Sequence, residues 1–112
     1  MFAKGCDYGY STVSPGIRRK TLVYGEKTLM TVFILDKGAT IAPHRHSQEQ
    51  IGYLVSGHLI LTIGDDVHDV RPNDSWVIPG NMEHHAKILE TSVALEVFAP
   101  PRDDYIPGPT EY

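Results

Sequence analysis

The sequence predicts an all-β fold, a sandwich or barrel of short strands. Three observations lead there. Gly, Pro, Asn and Asp interrupt the chain at close, even intervals. The runs between them are rich in β-branched and aromatic residues. No window of about 11 residues or more keeps a helical apolar period free of breakers.

Taken in order, the first run is Thr21 to Tyr24 and the second is Leu29 to Leu35, with Met30, Phe33 and Leu35 among its apolar members. Gly38 and Ala42-Pro43 then flank a short segment leading into His44. Ile51 to Val55 reads as a strand and Ser56-Gly57 as a tight turn. In His58 to Ile63 the residues Leu59, Leu61 and Ile63 alternate, the period of a strand with one buried face. Gly64-Asp65-Asp66 is a hairpin signal, with Val67 to Val70 as the returning strand. Pro72-Asn73-Asp74 turns the chain, and Ser75 to Ile78 is stopped by Pro79-Gly80. Ala86 to Leu89 and Ser92 to Phe98 complete the set. In the last, Val93, Leu95 and Val97 share one face and are expected to pack inward, while Ala94, Glu96 and Phe98 share the other. The final stretch from Pro100 to Tyr112 holds four prolines. It is expected to lie extended over the domain or over a partner subunit.

At 112 residues the chain fits one domain, 1–112, with its core over about 16–105. Hydrophobic residues are 41% and charged residues 21%, an ordinary globular mix. Ten Lys and Arg against 14 Asp and Glu give a net charge of −4. That balance argues against sequence-independent nucleic-acid binding, which needs a basic surface. No run approaches the roughly 20 apolar residues of a membrane helix, and the first residues lack the apolar stretch of a signal peptide, so a cytoplasmic protein is expected. Cys6 is the sole cysteine, which excludes an internal disulfide; no ligand spacing surrounds it.

The histidines carry the chemistry. On a strand, His44 and His46 point to the same side, so both imidazoles reach one ion; on a helix the same spacing would separate them. Gln50 shares their parity if the segment stays extended. His84 follows a separate strand and a Pro-Gly turn, and can close the site from across the barrel. Neutral imidazole is a strong ligand for divalent nickel, zinc, manganese and iron. His85 has the opposite parity to His84 and reads as a residue of the cavity mouth. His58 and His68 read as solvent-facing.

These residues fall into two linked motifs. Gly38-x5-His44-x-His46-x3-Gln50-x6-Gly57 resembles the first motif of the cupin family, G-x5-H-x-H-x(3,4)-E-x6-G. The segment from Asn73 to His84 resembles the second, G-x5-P-x-G-x2-H, with Asn73 and Asn81 in place of its glycines; Asn tolerates positive φ, so both turns survive. The resemblance implies a double-stranded β-helix, or jelly-roll barrel, holding one divalent metal ion through His44, His46, His84 and the residue at the glutamate position, here Gln50. Glu49 has the better ligand chemistry but lies one residue short of the motif and on the other strand face. An all-neutral ligand set leaves the ion's full charge uncompensated, which favours Lewis-acid work over redox chemistry.

A narrower resemblance covers the C-terminal part. Glu96-x-Phe98-x3-Arg102 is similar to the ending D-x-F-x3-R of small cupins of pectin and alginate breakdown, which convert 4,5-unsaturated monouronates into linear 4-deoxy-5-keto uronates. Gly16-Ile17-Arg18-Arg19-Lys20, Glu49-Gln50-Ile51 and Val77-Ile78-Pro79 look similar as well. The resemblance implies catalytic roles for Glu96, Phe98 and Arg102: Glu96 as acid or base, Arg102 on the carboxylate of a small anionic sugar acid, Phe98 as pocket wall. Glu96 replaces an Asp, which keeps the carboxylate and moves it by one methylene. If Glu96 faces the lumen its burial demands a partner, and Arg102 is the candidate counter-charge. The same fold also hosts dioxygenases, polyketide cyclases and non-catalytic binding modules. Oxygen uptake with iron, or a lumen too narrow for a sugar, would point to these. Small cupins commonly dimerise, so a homodimer is expected.

Overall fold

A computed structural model describes residues 1–107. Among the described residues eight strands follow one another: β1 Ser11–Ser14, β2 Ile17–Tyr24, β3 Leu29–Leu35, β4 Thr40–His44, β5 Glu49–Ile63, β6 Asp66–Val70, β7 Ser75–Ile78 and β8 His84–Ala99. All pairings are antiparallel. The continuous order is β1-β2-β3-β8-β5-β6, with β4 against β8 and β7 against β5.

β5 and β8 are long enough to serve two layers. Their pairing from Glu49↔Ala99 to Ser56↔Val93 belongs to a layer with β1, β2, β3 and β7; their pairing from His58↔Glu90 to Ile63↔His84 belongs to a layer with β4 and β6. The bend between the halves is at Gly57, whose φ is +103°. A Cβ there would lie 2.1 Å from Ser92 Oγ and 2.5 Å from Ser92 Cα, so only glycine fits the corner. Ser92 is wholly buried; its hydroxyl donates to the Glu90 carbonyl at 2.7 Å and accepts from the His58 amide at 3.1 Å. Ser56-Gly57 is therefore a kink inside one strand and not the tight turn expected of it. Likewise Ala86–Leu89 and Ser92–Phe98 are parts of the single β8.

The other turns follow their residues. Gly64-Asp65 closes the β5–β6 hairpin, with φ +59° at Gly64. Asn73 and Asn81 adopt φ +76° and +63°. They are the described non-glycine residues with positive φ, at the two positions where the second motif carries glycine.

Inside the layers, Ile17, Leu35, Leu54, Leu59, Leu61, Val70, Ala86, Ile88 and Ala94 form the core. The face of β8 that looks inward is Ala94, Glu96 and Phe98, all buried, whereas Val93, Leu95 and Val97 are half-buried on the outer face. This reverses the expected packing of that strand. β1 is an edge strand exposed at every residue, and β2 starts four residues before the apolar run that announced it. The C-terminal stretch is not simply extended: Asp103–Tyr105 form a 3₁₀ turn folded back on the domain. Residues 108–112 of that stretch lie outside the described residues.

Candidate metal centre and the lumen around it

His44 ends β4, His46 follows in the connection to β5, and His84 opens β8, where it pairs with His44. The segment from His46 to Gln50 bends at Ser47-Gln48, so the condition of an extended segment is not met; Gln50 comes beside His46 from the start of β5. Ring centroids are 4.2 Å apart for His44–His84, 5.1 Å for His46–His84 and 5.9 Å for His44–His46. One ligand atom from each ring lies within 4.8 Å of the others, close enough to converge on one ion.

The hydrogen bonds prepare these rings as ligands. The Nδ1 atoms of His44, His46 and His84 lie 2.9, 3.0 and 2.9 Å from the carbonyls of Ala42, Gln48 and Met82. A carbonyl only accepts, so each Nδ1 carries the proton and each Nε2 keeps its lone pair. Burial lowers the pKa of His46, and it pushes His84 down to about 4, keeping both rings neutral at ordinary pH. The Asn81 amide donates to the His46 carbonyl at 2.7 Å and ties the second motif to the first.

Gln50 faces the lumen, buried, while Glu49 faces solvent. The Gln50 amide nitrogen donates to Glu96 Oε2, which turns its oxygen toward His46 Nε2 at 2.9 Å. Two acceptors thus face one another without a proton between them. That arrangement suits two ligands of one cation, so the donor set fits a divalent ion of the nickel, zinc, manganese or iron type.

Glu96 sits one rung deeper. Along its rung run Thr31, Glu96, Gly52 and Trp76; along the next run Leu29, Phe98, Gln50 and Ile78. Trp76 lies over Gly52, where a Cβ would come 2.1 Å from the indole. Desolvation raises the Glu96 carboxyl from its ordinary 4.5 to about 8, opposed by the Gln50 N–H. The side-chain partner of Glu96 is Gln50, not Arg102. The Arg102 guanidinium instead forks onto Asp104, Nη2 to Oδ2 at 3.0 Å and Nε to Oδ1 at 3.3 Å. Arg102 still lines the lumen, 5.4 Å over Phe98 and 4.0 Å over Tyr105. Phe98 meets His46 at 5.6 Å and Tyr105 at 5.2 Å, edge-on in both cases.

The cavity above these groups has a volume of about 410 Å³, within the range of small-molecule pockets of roughly 300–1,000 Å³. His85 is half-buried and reaches its lining, as its expected place at the mouth requires; His68 is exposed. His58 is half-buried and bonded to Asp69 at 2.6 Å, so it is less open than expected. Arg19, Tyr105 and Trp76 also line the cavity and were given no site role from the sequence. For Arg19 the available signal was parity with the apolar Ile17.

Residues 31–99 match the cupin domain family. The chain is a cupin. Among relatives of this cupin, the pectin degradation protein KdgF of Dickeya dadantii (strain 3937) is 27% identical over 99 residues, spanning 87% of this chain and 90% of that protein. The structure of KdgF from Halomonas sp. matches with a TM-score of 0.89 at 30% identity, covering 95% of this cupin and 98% of that chain. An RmlC-like cupin from Shewanella frigidimarina NCIMB 400 gives a TM-score of 0.88 at 23% identity, over 94% and 95% of the two chains, which is a likeness of fold. No helix among the described residues is long and apolar enough to cross a membrane.

Proposed function

We propose that this cupin is a metal-dependent enzyme of pectin and alginate breakdown that converts 4,5-unsaturated monouronates into linear 4-deoxy-5-keto uronates. The observation that carries the reading is a buried carboxylic acid, Glu96, hydrogen-bonded to a candidate metal ligand inside a lumen of sugar size. The likeness to the KdgF proteins over nearly the whole chain supports it.

The reaction is an isomerisation. The proton on the anomeric oxygen leaves, the bond from C1 to the ring oxygen breaks to give an aldehyde and an enolate, and return of one proton to C4 makes the C5 ketone. His44, His46, His84 and Gln50 would hold the ion. When bound it supplies Lewis acidity toward substrate oxygens. Glu96, buried in the lumen beside Gln50, is the acid/base that exchanges protons with C4 and the anomeric oxygen. Arg102 engages the substrate carboxylate from the C-terminal side of the mouth, and Phe98 forms the wall against which the ring rests. The test is the loss of unsaturated-uronate absorbance with metal-loaded protein. Wild type is expected to turn over and Glu96→Gln to lose at least about a hundredfold in rate; equal rates would remove Glu96 from the mechanism.

The outer face of the larger layer supports the homodimer. Val23, Met30, Val97, Ile51 and Val77 form one apolar row across five strands, with Tyr53 and Val55 exposed beside it. A second copy laid on this face would cover it. Light scattering should give a dimer mass, and Ile51→Glu should give a monomer.

A further inference from the structure

Tyr105 is held between two arginines. Its ring centroid lies 3.7 Å from the Arg19 guanidinium carbon and 4.0 Å from that of Arg102. Its carbonyl accepts from the Thr21 hydroxyl, which fastens the 3₁₀ turn to β2. The two cations differ in their partners. Arg102 is forked by Asp104. Arg18 faces outward and pairs with Asp36 at 3.5 Å. Arg19 shares inward parity with Ile17, pairs with Phe33 across β2 and β3, and lines the lumen half-buried. No carboxylate among the described residues lies within ion-pair distance of it.

The charges at the mouth therefore do not cancel. Arg102 and Asp104 neutralise each other, and the remaining positive charge belongs to Arg19. A half-withdrawn guanidinium on an aromatic platform keeps its in-plane N–H donors free for a planar anion. We infer that Arg19 recognises the carboxylate of the incoming ligand, with Tyr105 as its platform, and sets the preference of the lumen for sugar acids over neutral sugars. This rests on the uronate reading for its ligand class, and it adds to Arg102 a second cation that no side chain neutralises. Arg19 acts in binding and takes no proton in the reaction.

The experiment compares wild type, Arg19→Gln and Arg19→Lys. The probes are D-galacturonate, a saturated uronate that cannot react, and D-galactose, its neutral counterpart, titrated by NMR at low and high salt. Losing a charge-assisted contact should weaken galacturonate binding about ten- to hundredfold in Arg19→Gln. It should also lessen its salt dependence and leave galactose binding unchanged. Arg19→Lys should recover part of the loss, since it keeps the charge without the fork. With the unsaturated monouronate, Arg19→Gln should raise KM and hold kcat within about twofold, the pattern of an interaction made equally in ground and transition states. If wild type fails to turn over that substrate while the galacturonate difference holds, the reaction assignment falls and the Arg19 site stands. Equal galacturonate affinity in wild type and a folded Arg19→Gln overturns the inference. Should Arg19→Gln not fold, loss of the salt dependence in Arg19→Lys, or galactose binding as tight as galacturonate in wild type, overturns it instead.

Discussion

Replacing Glu96 with Gln in metal-free protein should stabilise it in alkaline solution and change little in acid. Glu96 is 7% exposed and its side chain has Gln50 as its partner. Desolvation takes its carboxyl from 4.5 to about 8, so the folded state holds this proton more tightly than the unfolded chain. Its contribution to stability is complete below pH 4.5 and is lost as pH rises through about 8. At about 1.4 kcal/mol for each tenfold change in proton affinity, the full excursion is about 5 kcal/mol. That matches a large share of the roughly 5–15 kcal/mol that stabilises a domain. Gln is isosteric, accepts the same N–H through its amide oxygen and carries no charge. Urea unfolding with a chelator present, in steps from pH 5 to pH 9, would read the difference directly, because histidine titrations are common to both proteins. The stability gap should be about 1 kcal/mol at pH 5 and approach about 5 kcal/mol at pH 9. Parallel profiles would refute the reasoning, since they would mean that the carboxylate is solvated in the folded state. A divalent ion in excess should flatten the wild-type profile, because its charge favours the carboxylate.

Three further outcomes follow from the same geometry. Divalent ion at a hundred times its Kd should stabilise wild type by about 2.7 kcal/mol, and His46→Ala or His84→Ala should lose that gain in thermal unfolding; equal stabilisation would place the ion elsewhere. Gly52→Ala drives a Cβ into the Trp76 indole and should cost about 1–3 kcal/mol, with a shift in the emission of the sole tryptophan; unchanged emission would mean the ring does not lie there. Asn81→Ala should cost about 1–2 kcal/mol because φ is +63°, and should weaken metal binding through the His46 carbonyl, whereas Asn81→Gly should retain both properties.

The candidate site was more legible than the strands that hold it. His44, His46 and His84 could be read from spacing because ligand geometry is local to two short motifs. Asn73 and Asn81 could be read as positive-φ turns because Asn has a chemical reason to sit there. Gln50 against Glu49 is a question of register, and β5 turns Gln50 inward and Glu49 to solvent. The failures are non-local. A Gly at φ +103° looks like a turn within its own neighbourhood; only pairing of Leu54 with Ala94 and Leu59 with Ile88 shows one strand passing through a corner. The face of Val93, Leu95 and Val97 looked like core because it is the more apolar one. In this half of β8 the inner face carries Glu96 between Ala94 and Phe98, and the more apolar set is left on the outer face. β1 had no apolar period to detect, and the start of β2 was hidden by Arg18, Arg19 and Lys20. The partner of Glu96 was assigned by charge, whereas the fold offers an amide.

The corner at Gly57 has a consequence for inheritance of the site. The two long strands set alternate residues inside, so a slip of one position in β5 would carry Gln50 and Gly52 outward and bring Glu49, Ile51 and Tyr53 into the lumen. Most strands tolerate such errors only if something pins them. Here the pin is a residue with no side chain, lodged against Ser92 in the facing strand. A single-residue insertion between Leu54 and His58 would shift one half of β5 against β8 by one position and so dismantle the chemistry. Variation in this lineage should therefore accumulate as substitutions along β5 and β8 and almost never as changes in their length.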